Sequence, residues 1–215
     1  MQQLQEKTRH CDSYEKYEKI YEDIMPDIHR SIEIIDDVIY IKSMADESHQ
    51  DIVKNLVKIL DLYLANSGKC KVLMEPFDVK LNYYTKGKDE KNNIVKPDVL
   101  VACKDKIIDG KFLAGAPEIV FEVLSTDRKR DEEIKYEKYK QYGVKEYFIV
   151  DTEGKTIKYH DFENGKDEKT YGSFDDEITL NSMNYSIKVS DVFGETFNWL
   201  LDLMENKEFI SGLKK

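Results

Sequence analysis

Residues 97–103 read PDVLVAC and residues 115–151 read GAPEIVFEVLSTDRKRDEEIKYEKYKQYGVKEYFIVD. Three short runs within them, PDVLVAC, EIVFEVLS and EYFIVD, place apolar residues at consecutive positions and therefore on both faces of an extended chain. Strands of that kind lose water on both sides, which happens in the middle of a sheet rather than at a solvated edge. Between the second and third runs, about Asp131 to Tyr142 reads as a charged helix. Gly143 is the residue type that ends helices in the left-handed conformation. Buried strands joined through a helix predict an α/β domain with a central sheet.

Working outward, residues 31–42 (SIEIIDDVIYIK) are two apolar runs flanking Asp36 and Asp37 and predict a tight hairpin. From Ser48 the period changes. Ile52, Val53, Leu56, Ile59, Leu60, Tyr63 and Leu64 recur at spacings of three and four, which is one face of a helix. Ser48 with Asp51 resembles a capping box, and Gly68 lies past the expected end. Strands are expected at Lys71–Met74 and Phe77–Leu81, followed by a polar loop, TKGKDEKNN, at 85–93. Downstream, residues 146–162 predict a hairpin turning at Glu153 and Gly154, with further strands around Thr179 and Ile187. Residues 1–25, rich in Glu, Lys and Tyr, read as a solvated helix ending near Pro26, and Phe193 to Met204 reads as a closing helix. The expected organisation is a helical extension over 1–27, one α/β domain over 28–193 and a C-terminal helix over 194–215.

Composition limits the function classes. With 43 acidic against 33 basic residues and a net charge of −10, the surface as a whole repels nucleic acid, so contact with phosphate has to be local. The charged first twenty residues do not resemble a secretory signal, and no apolar run reaches the roughly eighteen residues a membrane helix needs. A cytoplasmic address is the expectation, with no membrane partner. Cys11, Cys70 and Cys103 are odd in number and widely spaced, so they read as reduced thiols rather than a disulfide or zinc framework.

Glu122 is the anomaly that points to chemistry. It sits inside Ile119–Leu124, a run otherwise apolar on both faces. An isolated buried carboxylate costs several kcal/mol, so it must be neutralised, paired with a cation or bound to a metal. A structural ion pair is the plain alternative. Asp98 opens a similar strand after Pro97, and if the strands are neighbours the two carboxylates converge at the sheet's edge. Two carboxylates with a nearby lysine make a hard-oxygen site suited to Mg²⁺ or Mn²⁺ rather than zinc. Such a site performs phosphodiester chemistry, the ion polarising phosphate and lowering the pKa of water. Ser125 lacks a glycine elbow and reads as a helix cap. The run Arg128–Lys129–Arg130 can meet a phosphate backbone or simply start a solvated helix.

At these residues a family likeness appears. PDVLVAC and the segment from Gly115 to Asp151, with EIIDDVIYIKSMADESHQDIVKNL upstream, resemble the Uma-two family of the restriction-endonuclease-like superfamily, marked by a PD…(D/E)xK motif. The likeness spans roughly residues 28–193. It implies a mixed central sheet flanked by helices with extra hairpins, and a metal-dependent endonuclease acting on nucleic acid, DNA before RNA. By the same resemblance Asp98 and Glu122 are the metal ligands. The superfamily's lysine would follow Glu122 by two residues, where this chain has Leu124. The resemblance shifts that role to Lys135, one turn after Asp131, whose side chain can reach back toward the strand end. His49 matches a family histidine and is a candidate to orient water or touch phosphate, its alternative being a helix-end residue without chemistry. Asp37 stands where the family's hairpin has glycine, so an altered turn is expected. The competing function is a catalytically inactive binding or regulatory module, favoured by Leu124 and the acidic charge. Dimerising is one way an acidic nuclease gains a basic groove, so a homodimer is the expected assembly.

Overall fold

The computed structural model describes residues 32–42, 45–65, 68–84, 91–125 and 127–194. The helix expected before Pro26 and, past Gly194, the expected closing helix lie outside the described residues.

The hairpin at Asp36 forms from β1 (Ile32–Ile35) and β2 (Val38–Ile41). Its turn keeps the regular two-residue geometry without glycine, with φ of 53° at Asp36 and 63° at Asp37. The cost of left-handed backbone, about 1–2 kcal/mol per residue, is offset locally. Asp37 Oδ1 accepts hydrogen bonds from Asn92 N at 2.8 Å and Asn92 Nδ2 at 2.6 Å, while Asp36 N donates to Asn93 Oδ1 at 3.1 Å. The expected alteration of the turn is therefore absent.

Helix α1 (Glu47–Leu64) buries the face that the spacing defined, including Ile52, Leu56, Ile59 and Leu60. Its cap is Asp46 rather than Ser48. Asp46 Oδ1 accepts from the amide of His49 at 2.9 Å, and Ser48 lies inside the first turn. Next come β3 (Cys70–Met74), β4 (Asp78–Lys80), β5 (Asn93–Val95) and β6 (Val99–Cys103). They are followed by β7 (Ile107–Ile108), β8 (Phe112–Ala114) and β9 (Ile119–Val123). Strands β5, β7 and β8 were not anticipated, because two or three residues are too few to display a period. A π-helical turn, Arg130–Lys135, runs into α2 (Tyr136–Tyr142), closed by Gly143 at φ 88°. The chain continues through β10 (Glu146–Asp151), β11 (Thr156–Asp161), β12 (Lys166–Tyr171), β13 (Glu177–Leu180), β14 (Tyr185–Lys188) and α3 (Val189–Phe193).

One mixed sheet has the order β2-β1-β5-β4-β8-β7 and the other β12-β11-β10-β9-β6-β3, with β13–β14 as a separate hairpin. The three buried runs are β6, β9 and β10, adjacent in the second sheet. Strand β9 pairs antiparallel with β6 and parallel with β10. Alternation divides their side chains between two cores. Val99, Val101, Ile119, Phe121 and Val123 pack against Leu56 and Leu60 of α1. Leu100, Ala102, Val120 and Leu124 point the other way, into a core shared with Tyr139 of α2 and Val79, Val95 and Leu113 of the first sheet. That second face carries the acidic residues.

Candidate active site

Strand register brings the two carboxylates together. Val99 pairs with Phe121, and one step further along the antiparallel ladder Asp98 stands opposite Glu122. Both share parity with Leu100 and Val120, so both leave the sheet on the α2 side. Asp98 Oδ2 accepts from the amide of Val123 at 2.7 Å, which locks its carboxylate against the end of β9. Asp98 and Glu122 are almost fully buried, with relative exposures of 2% and 1%.

Lys135 does reach back from the helix. Its ammonium lies 3.0 Å from Glu122 Oε1, 2.9 Å from Glu33 Oε1 and 3.4 Å from Asp131 Oδ1. Tyr139, one turn on, donates to the same Glu122 oxygen at 2.6 Å. The π-helical turn ends at Lys135, and such turns are frequent where a side chain is aimed at a functional site. Lys135 has no exposed surface and does not line the cavity beside the carboxylates, so its charge is felt there through Glu122.

The cavity holds about 300 Å³ and is lined by Lys42, His49, Glu75, Asp98, Glu122, Ser125, Arg130 and Asp131, among others. His49, carried on the first turn of α1, places Nε2 3.5 Å from Asp98 Oδ1. Lys42, just past β2, donates to Asp98 Oδ1 at 2.9 Å, Glu75 Oε2 at 2.6 Å and the carbonyl of Lys96 at 3.1 Å. The basic run does not act as one patch. Arg128 faces Asp151 at 2.8 Å on the surface, Lys129 is exposed, and Arg130 turns inward, with Nε 3.9 Å from Glu33 Oε2. Ser125, expected as a cap, lines the cavity instead. A larger hollow of about 410 Å³ beside Tyr136, His160 and Phe162 holds none of these residues, so charge rather than size selects the site.

Charge counting explains the proton affinities. Glu33, Glu75, Asp98, Glu122 and Asp131 face three permanent cations, Lys42, Arg130 and Lys135. The centre is short of positive charge. Burial pushes the Glu122 carboxyl up to about 8, and Asp98 and Asp131 add to this against the pull of Lys135 and Lys42. Burial likewise raises Asp131 and Glu75. Burial works against the charge of Asp98 too, but Lys42 and His49 outweigh it and hold that carboxyl far below its usual range. Glu33 is lowered in the same way, burial being overcome by Lys135, Lys42 and Arg130. Burial opposes the charge of His49, and its hydrogen bond with Asp98 raises it nonetheless. The donor set thus fits a divalent ion in kind: hard oxygens, ionised Asp98 and a charge deficit. Among the described residues, no three His, Cys, Asp or Glu side chains are clustered closely enough to hold a metal by themselves.

Sequence reasoning missed Lys42, Glu33, Glu75 and Tyr139. Glu33 carries the signal that identified Glu122, a charge inside the apolar run IEII, whereas Lys42 and Glu75 lie in ordinary polar surroundings.

Fold and acidic centre together define a restriction-endonuclease-like protein, and the comparisons with known proteins agree. The profile of the Uma2 family, described as "Putative restriction endonuclease", matches residues 14–189, and the chain belongs to that family. Among solved structures, "a putative nuclease belonging to DUF820 from Anabaena variabilis ATCC 29413" superposes with a TM-score of 0.65 at 15% identity, covering 83% of this chain and 96% of that one. At that identity the likeness is one of fold. No curated protein matches the chain. Among the described residues, no helix is long and apolar enough to cross a membrane.

Proposed function

We propose that this protein is a divalent-metal-dependent endonuclease-like phosphodiesterase acting on nucleic acid, with DNA the favoured substrate. The observation that carries the reading is the buried acidic centre at the wall of the cavity, where Asp98 and Glu122 converge with too few cations to balance the carboxyl groups. In this reading Asp98 and Glu122 hold Mg²⁺ or Mn²⁺. The ion, when bound, supplies Lewis acidity toward the phosphodiester and eases deprotonation of water. Lys135 positions Glu122 and holds part of its charge, with Tyr139 fixing the same oxygen. His49, tied to Asp98 at the cavity wall, is placed to exchange a proton with an entering water. Arg130 adds a fixed positive charge beside the space a phosphate would enter. A net charge of −10 makes a second copy of the chain a means of completing a basic surface, and a homodimer belongs to the proposal.

The alternative, a nuclease fold serving as an inactive binding or regulatory module, draws on the burial of Lys135, whose ammonium is engaged by three carboxylates. One assay separates them. Supercoiled, linear and single-stranded DNA and RNA are incubated with the protein in Mg²⁺ or Mn²⁺, beside Glu122→Ala and Asp98→Ala. Cleavage by the wild type that both variants lose is expected. Absence of cleavage, or equal cleavage by all three, defeats the enzyme reading.

A further inference from the structure

Lys42 is bound as a small cation would be. Its ammonium has three N–H groups, and the structure gives each an oxygen: Glu75 Oε2 at 2.6 Å, Asp98 Oδ1 at 2.9 Å and the Lys96 carbonyl at 3.1 Å. Two carboxylates and a backbone carbonyl are the ligand types that Mg²⁺ and Mn²⁺ prefer. The lysine side chain is 11% exposed and Asp98 only 3%, so the shell is desolvated on the Asp98 side, with Glu75, 28% exposed, on its solvent side.

Asp98 has little left to offer another cation. Its Oδ2 is turned to the Val123 amide at 2.7 Å, which leaves Oδ1 as the oxygen that faces the cavity. Lys42 sits on that atom, with His49 Nε2 at 3.5 Å beside it. A lysine ammonium brings one positive charge to a centre where five carboxyl groups face three cations. A divalent ion brings two, and two unlike cations cannot share one carboxylate oxygen in a low-dielectric wall without strong repulsion.

We propose that Lys42 is a resident cation occupying the metal position on Asp98, and that a divalent ion binds there by displacing its ammonium. This rests on the metal-dependent reading above and deepens it: the enzyme's metal affinity is set by competition with its own side chain. Lys42 is a positioning residue here. Its flexible four-carbon stem lets the head group swing away from Asp98 while the backbone beyond β2 stays in place.

The test is a Mn²⁺ titration by calorimetry on the full chain, with no nucleic acid present. Lys42→Met is expected to bind Mn²⁺ at least about ten-fold more tightly than wild type, the equivalent of about 1.4 kcal/mol. Lys42→Arg, which keeps the cation, is expected to bind no more tightly than wild type, and Asp98→Asn to lose the site. Because Lys42→Met also removes the hydrogen-bond donor that Asp98 and Glu75 share, Lys42→Gln, which is equally neutral but keeps an N–H for Asp98, is titrated in parallel. Melting curves establish that each variant is folded. If both neutral variants bind Mn²⁺ no more tightly than wild type, the displacement idea is overturned while the metal site stands. If neither wild type nor any variant binds Mn²⁺, the metal reading and this inference fall together.

Discussion

Replacing Lys135 with Met removes one charge from the most buried ion cluster in the described structure and leaves the volume of the side chain nearly unchanged. Lys135 and Glu33 have no exposed side-chain surface, Glu122 has 1% and Asp131 6%, and the three carboxylates lie 2.9, 3.0 and 3.4 Å from the ammonium. Breaking a buried pair by deleting one partner costs about 3–5 kcal/mol, because the surviving charge can neither reach water nor find a cation. Against a total stability of about 5–15 kcal/mol this is a large fraction. At about 2–4 °C per kcal/mol for a chain of this size, the melting temperature should fall by about 6–20 °C. The loss should also depend on pH. Without Lys135 each of the three carboxyls has a higher proton affinity in the folded state than it has beside the ammonium. Their contribution is then present at low pH and lost as pH rises, so the gap between variant and wild type should narrow at pH 5 and widen at pH 8. Lys138→Met, on the same helix, is the control. Its partner Asp36 is 41% exposed at 2.7 Å, and such pairs contribute about 0–1 kcal/mol. Urea unfolding at both pH values measures all of this. A loss below about 1 kcal/mol for Lys135→Met at pH 8, or one equal to that of Lys138→Met, would refute the picture of Lys135 as the buried counter-charge.

Further outcomes follow from single groups. The Glu122 carboxyl, raised by burial from 4.5 to about 8, favours the folded state while protonated. Its contribution is full below pH 4.5 and lost as pH climbs to about 8, a span worth up to about 5 kcal/mol at 1.36 kcal/mol per unit. Glu122→Gln should be more stable relative to wild type at pH 8.5 than at pH 5.5; an equal difference at both refutes the raised value. Asn55 donates to the carbonyls of Val192 and Gly194, both at 3.1 Å, and ties α1 to α3. Asn55→Ala should cost about 1–3 kcal/mol by taking the donor from the Val192 carbonyl in a buried bond and from the half-buried Gly194 carbonyl, read in the same unfolding assay. Cys70 and Cys103 face each other across β3 and β6 with sulfurs 3.3 Å apart, and burial together with the Cys70 contact pushes the Cys103 thiol up to about 12. Alkylation mapped by mass spectrometry at pH 8 should label Cys103 more slowly than free cysteine, and equal rates would contradict the shift.

Local patterns determined much of this molecule in advance. Consecutive apolar residues marked β6, β9 and β10 as buried, because strands covered on both faces admit little else. Glu122 stood out for the same reason, and the alternation of strand side chains placed it and Asp98 on one face once β6 and β9 were neighbours. The family resemblance, together with a position one turn after Asp131, pointed Lys135 back at the strand, where its ammonium lies 3.0 Å from Glu122 Oε1. The short strands β5, β7 and β8 were not legible, since each is held by its partners rather than by its own period. The cap of α1 moved to Asp46 because the geometry of an amide three residues on, and not the residue type alone, selects a cap. Lys42 was beyond reach. Its ammonium meets Asp98 across 56 positions and Glu75 across 33, and contacts at such separations leave no periodic trace in a single chain. Sequence marked Glu122 and Asp98 as buried carboxylates, because burial follows from neighbours along the strand. The tertiary fold alone decided that Lys42 and Arg130 join Lys135 in answering them, because an ion pair depends on where distant segments cross.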